Sequence, residues 1–103
     1  MQAMKKRVKP VVAKNAADLA EVLGLTRADG IEFAVRGALN TKIIDVVERK
    51  KMTHAQVAAA SGTSRSRITA IMNRHTKDIS TDLMLRVLGA LGVSAKVTFG
   101  RAA

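Results

Sequence analysis

Between residues 62 and 77 the chain carries Arg65, Arg67, Arg74 and Lys77 and no acid. A guanidinium is a planar fork of donors that meets a guanine edge or a phosphate in bidentate fashion, and a lysine is a mobile point charge suited to phosphate. Small polar side chains stand around these cations: Thr53 and His54 before them, Thr63, Ser64 and Ser66 among them, and Asn73 after. This is chemistry for holding a polyanion. Bond-breaking sets are missing from the sequence. There is no cysteine, which removes thiolate nucleophiles, disulfides and Cys-containing zinc sites. His54 and His75 lie far apart without a carboxylate pair between them, and no G-x-S-x-G, phosphate loop or G-x-G-x-x-G is present. Asp78 with Asp82, and Asp45 with Glu48, fall at helix spacings and flanks that explain them structurally. No catalytic residue, no metal ligand and no cofactor-binding residue is therefore expected.

The composition points the same way. The 103 residues are one domain's worth, 48% apolar and 25% charged, with a net charge of +10. Such an excess of cations suits a polyanionic partner. Proteins that hold single strands stack bases on several aromatic rings, and this chain has only Phe33 and Phe99, so a duplex is favoured. The basic opening Met1-Gln-Ala-Met-Lys-Lys-Arg lacks the apolar stretch of a signal peptide, and nowhere do about 18 apolar residues run together. No membrane association and a cytoplasmic location are expected. The charge is unevenly placed. Lys5, Lys6, Arg7, Lys9 and Lys14 form an opening arm without acids, whereas Asp18, Glu21, Asp29 and Glu32 make the following stretch acidic.

The elements that must position the cations follow from periodicity and capping. Residues 1–14 read as a basic arm, 15–92 as a helical domain and 93–103 as a strand and tail. A first helix is predicted from a cap at Asn15, with Leu19, Val22 and Leu23 on one side, closed by Gly24. A second begins at Thr26 or Asp29 and runs to Lys51, with Ile31, Val35, Ala38/Leu39, Ile43 and Val46/Val47 on one face. Thr53-His54-Ala55-Gln56 is a capping box for a short third helix ending near Ser61-Gly62. A fourth runs from Arg65 through Ile68 and Ile71 to Met72 or Asn73, and a fifth, capped by Ser80 or Thr81, turns Met84, Val87, Leu88 and Leu91 inward and stops at Gly92. Val93, Ala95, Val97 and Phe99 then alternate with polar residues at the period of a half-buried strand. Its neighbour would be the Val8 to Val12 segment or the same strand of a second chain, which would make a two-fold dimer. A packed tail without a ladder is the other possibility.

Thr53 to Ile71 has the internal logic of a helix-turn-helix. Ala55, Ala58, Ala59 and Ala60 let a second helix approach closely, Gly62 makes the turn, and Ile68 and Ile71 lock the second helix while Arg65, Ser66 and Arg67 stay free at its tip. The run Thr53 to Ile68, with Asn73-Arg74 and Ile79-Ser80-Thr81-Asp82-Leu83-Met84-Leu85-Arg86-Val87-Leu88-Gly89-Ala90-Leu91-Gly92-Val93, resembles the phage-repressor-like (Cro/CI, XRE family) helix-turn-helix domain. With Ala17-Asp18-Leu19, Leu23-Gly24-Leu25 and the C-terminal strand included, it is similar to the subgroup of HigA-like antitoxins and regulators over roughly residues 15–99.

The resemblance implies an all-α, five-helix lambda-repressor-like fold whose short C-terminal β-strand, through Val93, Ala95, Val97 and Phe99, pairs across a homodimer. It directs Arg65, Ser66 and Arg67 toward bases, and Thr53, His54, Thr63, Ser64, Asn73, Arg74 and Lys77 toward phosphates. His54 stands where the family usually has Gln, Ser61 where it has an apolar residue, and Met72-Asn73-Arg74 replaces the usual Glu and Gly. The implied function is a sequence-specific double-stranded DNA-binding transcriptional regulator, a repressor-type homodimer on a palindromic operator. The alternative is an antitoxin that holds a toxin protein and autoregulates its operon.

Overall fold

The computed structural model describes residues 26–101. Among them are four helices, α1 (Arg27–Lys50), α2 (His54–Ser61), α3 (Arg65–Met72) and α4 (Thr81–Ala90). The chain divides into two compact units, Met1–Gly37 and Ala38–Ala103, with the division inside α1.

In the first unit, α1 starts on a reciprocal pair. The Asp29 amide donates to Thr26 Oγ1 at 3.0 Å and the Thr26 amide donates to Asp29 Oδ2 at 3.2 Å, so two of the orphan donors at the helix start are satisfied. The hydrogen bonds from Thr26 hold the Asp29 carboxyl below the ordinary carboxylate range. Ile31 and Val35 keep the helical period expected of a core face, yet they are 57% and 47% exposed, and Phe33 between them is exposed as well. A period identifies a face without supplying what covers it.

The second unit holds the core. From α1 it takes Leu39, Ile43, Val46 and Val47, from α2 Val57 and Ala58, from α3 Ile68 and Ile71, and from α4 Leu83, Met84, Val87 and Leu88, with Ile79 and Leu91 beside them. α2 packs against both α3 and α4. The caps of α2 and α4 are among those the sequence predicts. Thr53 and Gln56 form the capping box of α2, at 3.1 and 2.9 Å. Ser64 caps α3 and Ser80 caps α4, each hydroxyl accepting from the amide three residues on.

Four left-handed residues close the helices: Lys51 (φ 54°), Gly62 (φ 68°), Arg74 (φ 60°) and Gly92 (φ 82°). After α1 the Met52 amide reaches back to the Val47 carbonyl, and after α3 the His75 amide reaches the Ala70 carbonyl at 2.8 Å, the six-residue closure that satisfies terminal carbonyls. Glycine takes this conformation without strain; the lysine and the arginine do so against their Cβ.

The first of the five predicted helices, Asn15 to Gly24, lies outside the described residues, and the other four are present. The stretch from Val93 to Phe99 forms no strand among the described residues. A strand exists only through a ladder with a neighbour, and the Val8 to Val12 segment also lies outside the described residues. Val93 instead belongs to the end of α4: its amide donates to the Leu88 carbonyl and its side chain packs on the core. Val97 and Phe99 are 73% and 95% exposed.

Candidate nucleic-acid interface

The turn between α2 and α3 is built by local chemistry. The Gly62 and Thr63 amides both donate to the Ala58 carbonyl, which folds the chain back at Gly62. Ser64, in extended geometry, then starts α3 two residues later. The outcome is a short helix, a tight turn and a second short helix whose first residues, Arg65, Ser66 and Arg67, are all exposed.

Helical geometry sorts these three. Ile68 and Ile71 define the inward face of α3; at 100° per residue Ser66 lies nearly opposite that face, with Arg65 and Arg67 on its two flanks. The outward stripe therefore continues from Ser66 to the half-buried Thr69, one turn on, and to Asn73, the C-cap, while Ala70 packs against the core. Thr69 is a position that a reading confined to the helix tip passes over. Neither Arg65 nor Arg67 forms an ion pair among the described residues, whereas Lys42 and Arg49 on α1 both pair with Asp45, at 3.9 and 3.0 Å. The charge of the α3 tip is thus uncompensated among the described residues.

The remaining predicted residues divide. Thr53 and Ser64 stand at the starts of α2 and α3, and their hydroxyls are engaged in capping. Thr63 is half-buried at the turn, and Asn73 and Lys77 are exposed. His54 is half-buried, with Nδ1 at 2.8 Å from Thr69 Oγ1. Arg74 is exposed, but its Nη1 donates to Thr41 Oγ1 on α1 at 3.3 Å. Ser61, at a position where an apolar residue is usual, has its hydroxyl buried without a hydrogen-bond partner.

Sequence reasoning missed Asn40. It is buried, 5% exposed, and its Nδ2 donates to the Ile71 carbonyl at 2.8 Å. Its register, one residue after Leu39 and three before Ile43, was the available signal, since that places an amide on the inner face of α1. Lys50 was also missed: Nζ donates to the Leu91 carbonyl at 2.8 Å, so a cation from α1 closes α4.

The family model described as "Helix-turn-helix domain" matches residues 19–100. The chain belongs to this helix-turn-helix family. No curated protein and no solved structure matches it. The matched residues include α2, the turn at Gly62 and α3. Among the described residues no three His, Cys, Asp or Glu side chains are grouped to hold a metal, and no helix is long and apolar enough to cross a membrane.

Proposed function

We propose that this helix-turn-helix protein is a sequence-specific double-stranded DNA-binding transcriptional regulator of the Cro/CI, XRE type, acting as a homodimer on a palindromic operator. The observation that carries the reading is the exposed tip of α3, where Arg65 and Arg67 flank Ser66 without an acid paired to them among the described residues. Arg65, Ser66 and Arg67 meet base edges, where one bidentate arginine on guanine gives about 1–3 kcal/mol of discrimination. Thr53, His54, Thr63, Ser64, Asn73, Arg74 and Lys77 meet the flanking phosphates. The DNA-binding domain is residues 15–92, preceded by a basic arm, 1–14, and followed by a tail, 93–103. That tail joins two protomers through Ala95, Val97 and Phe99, with Val93 at its base; the exposure of Val97 and Phe99 supports this.

If a dimer neutralises roughly 6–10 phosphates, affinity falls about 10³–10⁵-fold between 50 and 200 mM salt. Selection from random duplexes tests the reading. A palindromic consensus with half-sites centred about 34 Å apart supports it, and absence of enrichment at every salt concentration makes the chain a nonspecific binder.

An antitoxin role of the HigA type is a second reading, favoured by one feature. The first half of α1 is exposed on two sides, Phe33 with Asp29 on one and Ile31 and Val35 with Glu32 on the other, an acidic and apolar surface suited to a basic toxin. Neutralisation of a toxin encoded beside this gene would support it, and retention of that activity when Phe33 and Val35 are replaced by Ser would remove this surface from the role.

A further inference from the structure

The contact between His54 and Thr69 joins the first residue of α2 to the outward stripe of α3. Within 2.8 Å one of two arrangements holds: the Thr69 hydroxyl donates to an unprotonated Nδ1, or Nδ1–H donates to Thr69 Oγ1. The hydroxyl carries a single proton, and its only partner among the described residues is His54 Nδ1. If Nδ1 were itself the donor, that proton would have no acceptor among the described residues, at a half-buried site. With the hydroxyl donating, both groups are satisfied, and the neutral ring carries its proton on Nε2. Nε2 has no partner among the described residues and is not among the buried unpartnered atoms, so solvent reaches it.

We propose that Thr69 is a positioning residue that fixes His54 as the Nε2–H tautomer, so that the ring presents a neutral N–H donor to a phosphodiester oxygen of duplex DNA. This rests on the DNA-binding reading above, and extends it from which residue touches the backbone to what sets its polarity. A ring of the opposite tautomer would aim a lone pair at an anionic oxygen. With the ring neutral, as at the mildly alkaline pH at which both arms of the test are run, the contact adds a hydrogen bond without adding charge, so it differs in kind from those of Lys77 and Arg74: no counterion is released when it forms.

The test has two arms. Long-range ¹H–¹⁵N NMR of the free protein at mildly alkaline pH reads the tautomer. The proposal expects Nε2–H for His54 in the wild type, a shift toward a mixture in Thr69→Val, which keeps the shape and loses the hydroxyl, and recovery in Thr69→Ser. An Nδ1–H wild type, or a tautomer unmoved in Thr69→Val, overturns it. In the second arm, duplex binding is titrated across salt at the same pH. His54→Ala should weaken binding roughly 2- to 12-fold, the range of one hydrogen bond, with the salt slope unchanged, and Thr69→Val should move in the same direction. Unaltered affinity in His54→Ala, while Lys77→Ala weakens binding, overturns the phosphate contact and leaves the regulator reading standing. Absence of binding to any duplex overturns the regulator reading and leaves the tautomer result intact.

Discussion

Replacing Arg74 by glycine should make the protein more stable and a poorer DNA binder at once. Arg74 sits at φ 60° immediately after α3, where an L-residue costs about 1–2 kcal/mol. Glycine avoids that strain but gains about 0.5–1 kcal/mol of freedom in the unfolded chain. The exposed contact from Nη1 to Thr41 Oγ1, at 3.3 Å, lies at the long end of hydrogen-bond geometry and is worth about 0.5 kcal/mol or less. The balance is a stabilisation of about 0.5 kcal/mol, a rise of about 2–4 °C in Tm for a domain of this size. In binding, one phosphate contact per protomer disappears, so the slope of log K against log salt should become shallower by about 0.9 per protomer. Lys51→Gly is the matched control. Lys51 has the same left-handed geometry, φ 54°, and stands outside the proposed interface, so it should gain stability with DNA affinity unchanged. Thermal melts and salt-dependent fluorescence anisotropy read both quantities. A lower Tm for Arg74→Gly refutes the strain argument, and an unchanged salt slope refutes the phosphate role.

Other substitutions address single features. Ser61→Ala removes the buried, unpartnered hydroxyl and should stabilise by about 1 kcal/mol in denaturant titration; a loss of stability would mean that the hydroxyl has a partner. Asn40→Ala takes away the buried bond to the Ile71 carbonyl and should cost about 1–2.5 kcal/mol, seen as an earlier urea midpoint at constant m-value. Arg65→Ala should flatten the affinity ratio between specific and scrambled duplexes, whereas Lys77→Ala should weaken both equally; an unchanged ratio in mobility-shift titrations removes Arg65 from base readout. The Asp29 carboxyl, held low by its hydrogen bonds to Thr26, supports the start of α1 above its unfolded pKa, and that support is lost as pH falls through the lowered folded value. Amide chemical shifts of Thr26 and Asp29 should follow that titration and lose it in Asp29→Asn.

What the sequence makes legible is whatever is encoded locally. Thr53 with Gln56, Ser64 and Ser80 cap their helices because each side chain meets an amide three residues away, and Gly62 and Gly92 mark the left-handed turns because only glycine takes them freely. Hence the helix-turn-helix and its cationic tip could be read directly. Lys51 and Arg74 occupy the same conformation without the residue that announces it, so tertiary packing decides there. Ile31 and Val35 lie on a legible apolar face, but exposure depends on what lies opposite. Val93 to Phe99 alternate as a strand does, yet a ladder is a property of two segments and only one was in view. Asn40 and Thr69 were missed for a related reason: their partners are 31 and 15 residues away, beyond any local pattern.

Three of the polar contacts between elements also have a common destination. Asn40 donates to the Ile71 carbonyl, His54 meets Thr69, and Arg74, just after α3, reaches Thr41. All three end on α3 or on the residue that closes it. α3 buries Ile68 and Ile71 and packs Ala70 and Met72 beside them, and burial is non-directional: a few apolar residues hold a helix against a core while leaving its rotation about its own axis less sharply determined than hydrogen bonds do. Hydrogen bonds are directional, with steep losses on misalignment, so they fix that rotation. For a helix that only filled space, the rotation would matter little. For one whose Arg65, Ser66 and Arg67 meet particular base edges, as proposed above, a small turn about the axis moves every contact, because such a site has to hold its geometry to within about 0.5 Å. On that proposal, directional contacts converging on α3 from α1 and α2 are what readout requires, and the buried one, from Asn40, carries a cost in desolvation that core packing alone would not require.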